Sequence, residues 1–141
     1  MIPLSLYRQD LETIRNHFIP FVELLQQTKL NNVGHCSIQS DEYLTALAIN
    51  AIIDEIIAAI EKKYQKPVPK AKIKFSDAQA IIFYRLLLLL QIPATEIYFC
   101  KLRNDLVLAL DKQLIDQAIY KQAVYNHTFV SENNYADFEY E

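Results

Sequence analysis

A single glycine, Gly34, serves a chain of 141 residues. Hairpin turns in β-rich folds draw on glycine repeatedly, because their tightest forms need positive φ angles. Phosphate-cradling loops and dinucleotide fingerprints need several glycines, so that backbone amides can approach the ligand. One glycine removes the second class and argues against the first, and an all-α fold is the expectation. The length fits one domain, and a chain of this size holds a core without disulfides or metal.

Apolar spacing predicts four helices. Leu11, Ile14, Phe18, Phe21 and Leu25 recur at helical steps from about Asp10. Pro20 interrupts that stripe; it lacks a donor and collides with the carbonyl of Asn16, so a kink is expected there. Gly34 or a neighbouring asparagine ends the helix, and residues 35–40 read as a loop. A second helix runs from a cap at Ser40 or Asp41 to about Tyr64, with acids at its start and Lys62 and Lys63 at its end. The third opens on Ser76-Asp77-Ala78-Gln79, a capping box, and stops before Ile92-Pro93. The fourth carries Phe99, Leu102, Leu106, Leu110 and Leu114 on one stripe, from near Ala94 to about Tyr125. The second and third are the most apolar and are expected to form the centre. The whole reads as a four-helix bundle-like domain over residues 1–130, followed by an acidic aromatic tail over 131–141.

The link between helices two and three breaks the pattern. Residues 62–74 hold Lys62, Lys63, Lys66, Lys70, Lys72 and Lys74, two prolines and no acid. The prolines exclude helix, and the alternation from Lys70 to Phe75 permits a short extended segment. These six lysines are the candidate anion- or partner-binding residues; Tyr64 and Phe75 flank them for stacking on a base. The plainer role is a solubilising loop. A net charge of −3 tells against a polyanionic partner. Glu132, Asp137, Glu139 and Glu141 offer the lysines a second partner within the chain: the tail can fold back on the basic link.

Arg85 lies in the middle of the third helix. A buried guanidinium is costly without a partner, and folding the chain about residue 70 sets Arg85 level with Asp54 and Glu55. A buried ion pair is the expectation; an anion-binding arginine at a pocket, in a helical enzyme or small-ligand carrier, is the alternative.

Nothing else in the sequence carries specific chemistry. His17, His35 and His127 lack the Glu-x-x-His spacing of bundle metal sites, so neither metal nor cofactor is expected. His35 and Cys36 are adjacent, yet no third orienting group accompanies them. Cys100 reads as a small buried hydrophobe. Cys36 and Cys100 form no C-x-x-C motif, which suits a reduced, cytoplasmic protein. The start is too short for a signal sequence, and the apolar run from Ala78 to Ile92 falls short of a bilayer span, so no membrane partner is expected. The expectation is a non-catalytic protein–protein interaction or regulatory module, as a homodimer or with another protein; a nucleic-acid-associated regulator using residues 62–74 is the alternative.

Overall fold

The computed structural model describes residues 1–33 and 41–125, with residues 29–33 and 117–125 as backbone only. The order is β1 (Ile2–Tyr7), α1 (Arg8–Thr13), a π-helical stretch (Ile14–Phe18), α2 (Ile19–Val33), α3 (Asp41–Tyr64), β2 (Lys70–Phe75), α4 (Asp77–Leu89) and α5 (Ile97–Tyr125). Among the described residues the chain is mostly helical, with one small sheet of two strands. The loop expected at 35–40 and the tail at 131–141 lie outside the described residues.

Segments α1, π and α2 run end to end. The amide of Ile19 donates to the carbonyl of Ile14, a five-residue step instead of the usual four. This widened turn comes just before Pro20. It is the physical answer to the clash expected between the proline ring and the turn before it, since a π turn loosens the backbone there.

The mostly helical expectation holds, and a two-stranded ribbon is added to it. β1 and β2 pair antiparallel, from Ile2 opposite Phe75 to Tyr7 opposite Lys70. Their buried residues alternate: Ile2, Leu4 and Leu6 lie on one face with Ala71, Ile73 and Phe75. The strand period of two sends every second residue into the core. Two strands bury too little to stand alone, so the ribbon depends on the helices packed against that face.

α4 begins as its sequence specifies. The amide of Gln79 donates to Ser76 Oγ at 3.2 Å, and the amide of Ser76 donates to Gln79 Oε1 at 3.0 Å. Phe18, Phe75 and Phe83 then meet at the centre, joining the π stretch, β2 and α4 through ring pairs 5.2 and 5.3 Å apart. α5 covers this centre with Phe99, Leu102, Leu106 and Leu110.

α3 is less central than its composition suggests. Ile53, Ile56 and Ile60 are buried, while Leu44, Leu47 and Ile49 near its start are exposed. Among the described residues α3 is the one helix long and apolar enough to cross a membrane, with mean hydropathy 1.7 over its most apolar window. Here it packs on α2, α4 and β2. Its C-terminal end is tied down: the Arg8 guanidinium donates to the carbonyls of Tyr64 and Lys66 at 2.6 and 2.8 Å and lies over the Tyr64 ring.

Candidate functional site

The outer face of the ribbon is the most strongly patterned surface among the described residues. Because the buried face takes Ala71, Ile73 and Phe75, strand alternation turns Lys70, Lys72 and Lys74 outward in one row. Neighbours in that row are two residues apart, about 6.8 Å along the strand. Opposite them on β1 stand Tyr7, Ser5 and Pro3. Lys70 sits 5.1 Å from the centre of the Tyr7 ring, a cation–π contact. The six lysines of the link are thus divided. Lys62, Lys63 and Lys66 stay at the end of α3 and in the turn after it, and only the other three share the strand face.

The far edge of β1 is open at Ser5. The Pro3 carbonyl accepts from the side-chain amide of Gln113 on α5 at 3.0 Å, and the Tyr7 amide donates to Asp10 at 2.9 Å. Both groups therefore point away from β2. Alternate residues of an antiparallel strand share a direction, so the N–H and C=O of Ser5 point the same way. Among the described residues neither group has a partner. They open into a cleft of about 540 Å³ between β1 and α5. Leu102, Leu106 and Ala109 supply its apolar wall; Asp10, Tyr98 and Lys101 supply polar groups. Pro3 is compatible with this edge, because its missing N–H would have faced the cleft and not β2.

The cleft's acids are already engaged. Asp10 accepts from the Tyr98 hydroxyl as well as from the Tyr7 amide, and Asp105 pairs with Lys101 at 3.0 Å. Partial burial, and then the bond to Asp10, push the Tyr98 phenol up to about 12. The neutral phenol is the form the fold favours. Its stabilising contribution is present below the ordinary tyrosine value near 10 and is lost as pH rises through about 12. Absorbance titration should therefore find a phenol ionisation at about 12 that disappears in Tyr98→Phe.

Arg85 is not in the interior. It lies on the exposed side of α4, at a groove of about 250 Å³ lined also by Leu25, Ile49, Ile53, Ile82 and Leu89. Asp54 accepts from Gln26 at 3.0 Å and Glu55 from Gln79 at 2.9 Å; among the described residues neither forms an ion pair with Arg85. The physical reason is register. Residues 70–75 travel as a strand along the ribbon, which brings Gln79, and not Arg85, level with Glu55. Cys100 is partly buried, its thiol turned toward the Pro93 carbonyl at 3.7 Å.

The strand edge is the feature that the sequence reading missed. Its signal was present: Ile2, Leu4 and Leu6 alternate with Pro3, Ser5 and Tyr7. The basic alternation of 70–75 had no visible partner until these residues were set beside it. No protein-family model, no curated protein and no solved structure matches this chain.

Proposed function

We propose that the chain is a non-catalytic protein-interaction module whose working surface is the β1 edge with the lysine row beside it, and whose ligand is an extended acidic peptide segment. The observation that carries this reading is the open Ser5 backbone in the cleft, with the row Lys70, Lys72 and Lys74 on the next strand across β1. A peptide added as a third strand would bond Ser5 through its main chain and present alternate side chains to the two faces. Acids on the outer face would meet the lysines; apolar residues on the other would meet Leu102 and Leu106.

A nucleic acid, using the same lysines, is the competing partner. It has no main-chain N–H and C=O pattern to pair with Ser5, and the overall charge opposes it. The test uses the full chain. A peptide with acids at alternate positions should bind it and shift the Ser5 and Lys72 amide resonances. Failure of such peptides to bind, or a preference for a single-stranded oligonucleotide, would overturn the reading.

Self-association belongs to the same reading. The groove beside Arg85 leaves Ile49 and Leu89 exposed, 38% and 55%, and a second copy is the occupant we propose for it. Sedimentation should give twice the 16.4 kDa chain mass, falling to one chain in Leu89→Glu. A wild-type monomer at tens of micromolar would exclude the dimer.

A further inference from the structure

We infer that Gln113 and Asp10 are stops that confine main-chain pairing at the β1 edge to a single ligand residue, so that the peptide is read as an apolar–acidic–apolar triplet with its acid opposite Ser5. The inference rests on the proposed peptide-binding role of this edge and names the sequence that the edge selects.

The bonding groups of the edge are fixed by the ladder behind it. The Arg8 amide donates to the Pro69 carbonyl at 3.0 Å, so the even-numbered residues bond toward β2 and residues 3, 5 and 7 turn their main chain to the cleft. An antiparallel third strand would exchange two bonds with Ser5 through one central residue. Its next bonds would fall two residues to either side. The later amide would donate to the Pro3 carbonyl, and the earlier carbonyl would accept from the Tyr7 amide. Both places are filled. Gln113 Nε2 holds the Pro3 carbonyl at 3.0 Å, and Asp10 Oδ2 holds the Tyr7 amide at 2.9 Å. Each side chain matches the peptide group it replaces, a donor for a donor and an acceptor for an acceptor. Asp10 is itself held by the Tyr98 hydroxyl, and beyond Tyr7 the chain turns into α1.

The one pair of bonds left between the stops selects side chains by face. The central side chain shares the face of Ser5, and so of Lys72, which lies two strand spacings or about 10 Å away. Ser5 between them is small, so a glutamate and a lysine can meet across it. The two neighbouring side chains turn to the other face, beside Leu4 and Leu6 and against Leu102 and Leu106. An acid at either neighbour would lose its water against that apolar wall. Lys101, the cation lining the cleft, already pairs with Asp105. The cleft volume of about 540 Å³ suits so short a bonded segment, being within the range of small-ligand sites. Acids two residues out on either side keep to the lysine face, without main-chain bonds of their own.

N-methylation of the ligand tests main-chain bonds one amide at a time. The probe is the capped peptide Thr-Ser-Val-Glu-Val-Ser-Thr, titrated against the full chain. In wild type, a methyl on the glutamate amide should weaken binding at least about tenfold, through loss of the bond to the Ser5 carbonyl. A methyl on the serine amide two residues later should leave affinity unchanged, because Gln113 holds that place. In Gln113→Ala the Pro3 carbonyl is free, and the same serine methyl should now cost about tenfold. Gln113→Ser opens the same carbonyl and should behave alike. The peptide Thr-Ser-Asp-Glu-Asp-Ser-Thr carries more charge, yet it should bind wild type at least about tenfold more weakly, having lost two apolar contacts. Tighter binding by that peptide would overturn the triplet in favour of general charge attraction. A serine methyl that weakens binding to wild type, or leaves both Gln113 variants unaffected, would overturn the stops while strand addition stands. A harmless glutamate methyl would overturn strand addition and the inference with it. Failure of the valine peptide where longer alternating acidic peptides bind would overturn the triplet alone; failure of both would overturn the peptide-binding role as well.

Discussion

Phe83→Ala is expected to remove about 3–5 kcal/mol of folding stability. Phe83 is 1% exposed and packs edge-on to Phe18, with ring planes at 81°, and tilted against Phe75. Its ring therefore joins the π stretch near the start of the chain to β2 and α4. Truncation to alanine loses the transfer energy of the ring and leaves a hole that three different backbones would have to move to close. Each aromatic pair adds about 0.5–1.5 kcal/mol beyond simple burial. A domain of this size has only about 5–15 kcal/mol in total, so the variant should be near its limit. Urea denaturation followed by circular dichroism would record a much lower midpoint with little change in slope. Phe83→Leu should retain much more, because it keeps most of the apolar volume. A cost below about 1 kcal/mol for the alanine variant would mean that the three rings are not the centre of the core.

Reversal of the lysine row is expected to have the largest effect on binding. In the full chain, Lys70→Glu, Lys72→Glu and Lys74→Glu together should weaken an alternating acidic peptide about 100-fold at low salt. The estimate takes about 1 kcal/mol for each exposed charge reversed. All three side chains are on the outer face and none forms an ion pair among the described residues, so the fold should tolerate the change. The structural loss is the Lys70 contact with Tyr7, worth about 0.5–1 kcal/mol at an exposed site. Salt provides the control. Near 0.1 M the screening length is about 10 Å, so wild-type and reversed rows should converge in affinity as ionic strength rises. Reversal at Lys62, Lys63 and Lys66 should do far less, since those residues belong to the end of α3 and the following turn. Equal losses from the two triplets would reduce the row to general basicity.

The division of the lysines marks how far local reading reaches. Their composition identified a charged segment, and the alternation from Lys70 to Phe75 carried the strand period. Which three lysines form one face depended on β1, whose partner in sequence is some seventy residues away. Strand pairing is a non-local bond pattern, and a lone alternating segment does not name the strand it will join. The open Ser5 backbone was invisible for the same reason: a backbone group is free only in relation to what surrounds it. Arg85 was misread because consecutive leucines, Leu86 to Leu89, point to all sides of α4. When every face of a helix is apolar, composition no longer says which one is inside.

What the sequence determined alone is local: the Ser76–Gln79 cap, the span of α3 from Asp41 to Tyr64, the strain at Pro20, and the stripe of α5. Each of these rests on bonds or contacts within about one helical turn, so each is written in neighbouring residues. Tertiary structure decided the sheet, the exposure of Arg85, and the cleft beside Ser5. These depend on which distant segments lie side by side, and the extended path of residues 70–75 sets that register by consuming more than twice the length per residue that a helix does.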